Sequence, residues 1–231
     1  MVPADQLPIH IGFIVDGNRR WAKKHGLPGY EGHLAGYNVL KDVLFETYDK
    51  GIQYASIFIF STENWQRPKA EVSKIMSLCL RLLKTDLKYF MQKNVRLLVL
   101  GTRENLAPRL VAAIENAEAK TAGNTGGTLA VCLNYGGQRE ITDAVKKIVA
   151  SGVAEADITP ELISENLYAP EVPPIDLIVR TSDEKRISNF MLWRAAYSEL
   201  LFLKKLWPEM TKDDVDDILK EYARRQRRFG K

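Results

Sequence analysis

Apolar runs rich in β-branched residues alternate with amphipathic stretches along the whole chain. The runs at 9–15, 54–60, 95–100, 128–133 and 175–180 are short and largely apolar, as strands are when both faces of a parallel sheet are covered. Between them the apolar period lengthens to that of helices. One helix is predicted from about Arg19, one over 33–50 that stops at Gly51, one over 68–92 entered by Pro68, and one over 108–121. A last helix follows Thr211, its expected N-cap, and carries the stripe Val215, Ile218, Leu219 and Tyr222. The alternation predicts an α/β fold, with a mostly parallel central sheet flanked by helices. No repeat, linker or composition shift interrupts it, so 1–231 reads as one domain, with 170–174 a Pro-bounded rigid loop.

The 68–92 segment is apolar on more than one side. Val72, Ile75, Cys79 and Leu82 form one stripe, and Leu78, Leu80 and Leu87 lie off it. Such a helix needs two burial partners: the core and a dimer contact, or the core and an apolar ligand tunnel.

Composition narrows the class. With 231 residues, 45% of them apolar, the chain can bury one large core. Its 33 basic and 29 acidic side chains leave a net charge of +4, too small for a strongly basic nucleic-acid binder, so no nucleic-acid partner is expected. Cys79 and Cys132 lie far apart in apolar runs without metal-ligand spacing and read as buried thiols of a reducing compartment. The N-terminus lacks a signal pattern and no apolar stretch could cross a bilayer. A cytoplasmic protein is expected, which leaves room for association with the inner membrane surface.

Polar residues gather where the strands end, and α/β sheets bind ligands beyond the carboxyl ends of their strands. After the first strand stands Asp16-Gly17-Asn18-Arg19-Arg20-Trp21: a carboxylate, a glycine and two guanidinium groups at a helix start, which suits a metal-bound diphosphate as well as a capped helix with exposed arginines. After the second come Ser61, Thr62, Glu63, Asn64, Trp65, Gln66 and Arg67, with Trp65 also able to pack under the core. After the last come Arg180, Thr181, Ser182, Asp183, Glu184, Lys185, Arg186, Ile187 and Ser188. Arginines at three strand ends, without a Ser-His-Asp order, point to a phosphorylated substrate.

The segments 10–22, 32–33, 60–67, 134–137, 180–193, 197–200, 207–208 and 228–230 together resemble, in order and across nearly the whole chain, the signature motifs of the cis-prenyltransferases, the undecaprenyl diphosphate synthase family. The resemblance implies that family's fold, with an apolar tunnel, and Z-type condensation of isopentenyl diphosphate with an allylic diphosphate. It implies Mg²⁺ at Asp16, completed by Glu199. Arg20, His33 and the amides after Gly17 would bind the allylic diphosphate; Arg180, Arg186 and Ser188 would bind isopentenyl diphosphate. Asn18, Arg19, Trp21, Thr62, Glu63 and Trp65 fall in the same motifs and count as substrate-binding candidates. Ser61 and Asn64 would assist proton removal, with Arg67 supporting their loop. The family is homodimeric, and Arg228 to Gly230 would reach the partner's isopentenyl diphosphate site.

Two positions depart from the pattern. Gly29 stands where an arginine contacting the allylic diphosphate is usual, with Arg19 or Lys23 as its possible replacement, and Asp183 stands where a glycine is usual, an exchange expected to weaken diphosphate binding. Strand alternation puts Ile57 and Ile59 on the face of Ser61, looking into the tunnel. In long-chain family members the Ile59 position is usually alanine, so a short to medium product is expected, with Ile59 as the tunnel floor.

Three rivals share these features. Asp213-Asp214-Val215-Asp216-Asp217 spells the DDxxD of trans-prenyltransferases, but that class is all-helical and needs two such motifs. The basic tail from Arg224 suggests a module for RNA or acidic lipid headgroups. A non-catalytic subunit on the same fold is opposed by Asp16, Asn64, Arg180, Arg186 and Glu199. No dinucleotide or P-loop fingerprint is present.

Overall fold

The computed structural model describes residues 2–225. Five predicted strands form: β1 (His10–Ile14), β2 (Tyr54–Ser61), β3 (Val95–Leu100), β4 (Gly127–Tyr135) and β5 (Leu177–Arg180). A sixth, β6 (Glu199–Phe202), was not expected. They make one sheet in the order β3-β4-β2-β1-β5-β6, parallel throughout. The helices are α1 (Asn18–Lys24), α2 (Gly29–Asp49), α3 (Lys69–Lys84), α4 (Leu87–Gln92), α5 (Pro108–Thr121), α6 (Gly137–Ala150), α7 (Pro160–Asn166) and α8 (Lys212–Ala223).

Alternation along the strands divides the apolar residues between two cores. Ile11, Phe13, Leu97, Val99, Leu129, Val131, Leu177 and Val179 face one, with α2, α3, α5 and α8 packed on it. Ile14, Leu98, Leu100, Ala130, Cys132 and Ile178 face the other, closed by Val172, Phe190 and Met191. Both faces are therefore dry, which is why the strands read as continuous apolar runs. The order reverses about β1: the chain steps from β1 to β2 on one side and reaches β5 on the other. The carboxyl ends of β1, β2 and β5 thus flank a crevice.

Two helix boundaries differ from expectation. The second helix starts at Gly29, a turn before His33. The predicted 68–92 helix is two helices, broken at Thr85 and Asp86. Asp86 is drawn inward, where its Oδ2 accepts from the Tyr37 hydroxyl at 2.5 Å and from Lys41 Nζ at 3.1 Å. At α8, Thr211 is the N-cap and forms a capping box with Asp214. Asp214 also accepts from Lys205, Asp216 meets Lys50 at 2.7 Å and Asp217 meets Lys220. The DDxxD spelling is a capped, ion-paired helix start.

A buried histidine gives the fold a pH limit. His10 is fully buried and bonds Pro173 O through Nδ1 at 2.9 Å and Ser56 Oγ through Nε2 at 2.7 Å. A carbonyl only accepts, so Nδ1 carries the proton and Nε2 accepts from Ser56. Burial pushes the imidazole from 6.5 down to about 4. The unfolded chain binds this proton near pH 6.5 and the folded one does not, so stability is full above that pH and falls toward pH 4, by about 3 kcal/mol in total. Between pH 7 and 5 urea unfolding should show about 2 kcal/mol more loss in the wild type than in His10→Gln. Parallel pH profiles would remove His10 from this role.

Candidate active site

Asp16 stands two residues past β1 and is fixed at its backbone by Thr181, whose hydroxyl accepts from Asp16 N at 3.0 Å and donates to Asp16 O at 2.6 Å. Its Oδ1 accepts from Gly17 N at 2.7 Å, and its Oδ2 from Arg180 Nη2 at 2.9 Å. Gly17 caps α1 at φ 102°, where an added Cβ would lie 2.9 Å from Leu206. Only glycine suits both the left-handed backbone and that contact.

Arg180 ends β5 and is buried. Its Nη1 donates to Ser188 Oγ at 2.8 Å and to Arg186 O at 2.6 Å, while Nε has no partner among the described residues. Arg20 and Arg186 both rest on Glu184. The loop that carries these groups holds five non-glycine residues at positive φ: Ser182, Asp183, Ser188, Asn189 and Met191. It is pinned by Ser182 N to Lys205 O and Asp183 N to Leu203 O, both 2.8 Å, and by Phe190 and Met191, fully buried in the second core. Asp183 does sit at φ 58°, a conformation aspartate tolerates. Its side chain is exposed and outside the cleft lining.

Together these groups line a cleft of about 370 Å³ with Asn18, Arg19, His33, Ser61, Asn64 and Arg67. The Ser61 amide donates to Asn64 Oδ1 at 3.2 Å within a capping box that holds both side chains. His33 and Arg67 both reach Glu71, at 3.2 and 3.1 Å. Burial lowers the pKa of His33, against the pull of Glu71. Arg19 Cγ lies 3.9 Å from where a Gly29 side chain would begin.

The cleft shares walls at Val15, Asn18, His33 and Ile59 with an apolar cavity of about 60 Å³ between α2 and α3. Ile59 stands at this mouth and not at the floor. Ile57 lines neither space and is fully buried in the main core. Ile57 and Ile59 share the main-core face, as alternation expects, and the register irregularity after Phe58 brings Phe60 onto that face as well.

Other candidates lie elsewhere. Trp21 stacks on His25, ring centres 4.2 Å apart. Trp65 packs edge-on to Phe60 and donates to Asn134 Oδ1 at 2.7 Å, and Glu63 accepts from Asn189 at 3.1 Å. With Thr62, these side chains are outside the cleft lining. Glu199 opens β6 level with Leu177, whereas Arg180 is level with Phe202. Three steps of strand, about 10 Å, separate Glu199 from the cleft within one chain, and Arg225 holds it at 3.1 Å. Arg228 and Gly230 lie outside the described residues. Conversely, Thr181, Glu184 and Glu71 order the cleft but were not singled out. Only Glu71 had a visible signal, its i,i+4 spacing from Arg67.

A cationic cleft at the strand ends beside an apolar cavity suits a ligand with an anionic head and a hydrocarbon tail. Residues 14–230 match the family model described as "Putative undecaprenyl diphosphate synthase". The chain is 44% identical to the isoprenyl transferase of Thermotoga maritima over 227 residues, 97% of each chain. It is 44% identical over 228 residues to that of Agrobacterium fabrum, covering 97% of this chain and 92% of the relative. Its structure superposes on lavandulyl diphosphate synthase from Lavandula x intermedia, solved in complex with dimethylallyl diphosphate, with a TM-score of 0.95 and 32% identity, covering 98% of this chain and 100% of the other. The chain belongs to the undecaprenyl diphosphate synthase family and is a prenyltransferase.

Proposed function

We propose that the enzyme condenses isopentenyl diphosphate with an allylic diphosphate, with Z geometry, to give a short to medium polyprenyl diphosphate. The wall shared by the arginine-lined cleft and the apolar cavity carries this reading. The allylic carbon–oxygen bond breaks, a carbon–carbon bond forms to the terminal alkene carbon of isopentenyl diphosphate, a proton leaves its C2, and diphosphate departs. Guanidinium donors are worth most where negative charge develops in a dry site. Arg19 and Arg20 are placed for the departing diphosphate, and Arg180, Arg186 and Ser188 for that of isopentenyl diphosphate. Ser61 and Asn64, at the end of β2, assist proton removal. His33 must release Glu71 to bind diphosphate.

Among the described residues no three His, Cys, Asp or Glu side chains gather as a metal cage. Asp16 is the one carboxylate of the cleft lining, and its Oδ2 would exchange Arg180 for Mg²⁺, which binds through one or two carboxylates together with substrate phosphates. When bound, Mg²⁺ would neutralise charge on the departing diphosphate. A homodimer, with Arg228 and Gly230 completing the partner's site, is part of the same proposal, as is contact with the membrane surface through the product. Among the described residues no helix is long and apolar enough to cross a membrane.

The test is incubation with labelled isopentenyl diphosphate and allylic primers of several lengths, with products sized by chromatography. Chain extension that stops in excess chelator is expected. Failure to extend any primer would overturn the proposal and favour a non-catalytic subunit.

A further inference from the structure

We propose that Tyr37, bolted to Asp86, is the end wall of the prenyl-chain cavity and sets product length; this rests on the function proposed above. Tyr37 lies one helical turn beyond His33 on α2 and lines the cavity alone, whereas His33 and Ile59 line both cavity and cleft, so it stands away from the shared mouth. Its ring is buried and lines the space with Leu40, Cys79 and Leu82.

The ring is held from behind. Its hydroxyl donates to Asp86, whose carboxylate is buried, accepts from Lys41 and stands 4.0 Å from Arg81. The Arg81 guanidinium also lies over the ring, 5.2 Å from its centre. An aliphatic wall can step aside by changing rotamer, whereas Tyr37 can move only by breaking a hydrogen bond to a charged acceptor, one of the stronger kinds. Beyond the ring the Lys41 and Arg81 side chains are 23% and 47% exposed. The wall therefore separates the cavity from the surface at the α3–α4 break, and its loss opens a way out for a longer tail.

Wild type, Tyr37→Ala and Tyr37→Phe are incubated with labelled isopentenyl diphosphate and one primer, and the products are sized. Tyr37→Ala should lengthen the main product by at least one isoprene unit. Tyr37→Phe, which keeps the ring but loses the bolt, should give a broader distribution reaching past the wild-type length. Wild-type distributions from both variants would overturn the proposal. A second measurement needs no turnover: alkylation by N-dodecylmaleimide of Cys79, which lines the cavity, against Cys132, buried on the other face of the sheet. The Cys79 to Cys132 rate ratio should rise several-fold in Tyr37→Ala, and an unchanged ratio would overturn the end-wall assignment. If the wild type makes no product yet the ratio rises, the catalytic reading fails and Tyr37 stands as the wall of an apolar cavity.

Discussion

Asp16→Asn is expected to lower turnover on the order of 10³-fold with a modest fall in melting temperature. The carboxylate is about one-third exposed, at 35%, and its recorded contacts are polar: Gly17 N, Arg180 and Arg20. The single amide oxygen can replace only one of the two acceptors, that for Gly17 or that for Arg180, so the fold keeps one of these bonds while the site loses the charge that would hold Mg²⁺ against the substrate. Asp16→Ala should lose as much activity and more stability, because Arg180 is buried and would lack its counter-ion. Steady-state rates with and without chelator, beside thermal melts, check this. Normal turnover in Asp16→Asn would remove the residue from catalysis.

Glu140→Ala should cost about 3–5 kcal/mol and lower the melting temperature by roughly 10 °C. Glu140 is fully buried and accepts from Arg194 Nη1 at 2.8 Å, from the Tyr135 hydroxyl at 2.6 Å and from Tyr168 N at 3.2 Å. Arg194 in turn donates to the carbonyls of Tyr168, Ala169 and Val172. Removing one charge strands the other, whereas replacing both with apolar residues of similar size, as in Glu140→Leu with Arg194→Met, should recover much of the loss. Denaturant titrations of the single and double variants decide it. A loss under about 1 kcal/mol in Glu140→Ala would show that the pair is dispensable.

Strands β1 to β5 were legible because their apolar residues are buried on both faces of the sheet. β6 was not: four residues at the sheet edge, largely half-exposed, carry too little pattern. α7 was signalled by Thr159 before Pro160, and Thr159 does cap it, but seven residues form no stripe. The break at Asp86 was hidden because its partners Tyr37 and Lys41 come from another helix. Motif order brought Asp16, Arg180, Arg186 and Ser188 together correctly, since strand ends in a parallel sheet converge. The same reasoning placed Trp65 and Thr62 by sequence neighbourhood, although a 3₁₀ turn at 62–66 sends successive side chains in different directions. Glu199 could be located only once the register of β6 was known.

The left-handed run in the 182–191 loop means that the arrangement of Ser188 and Arg186 is maintained against a backbone preference worth about 1 kcal/mol or more per residue. Phe190 and Met191, which keep the loop in that shape, line no part of the cleft. A saturation mutagenesis map scored on activity would mark these apolar positions as strongly as the arginines. A lineage could likewise retune its grip on diphosphate by exchanging oily residues while leaving the charged set untouched.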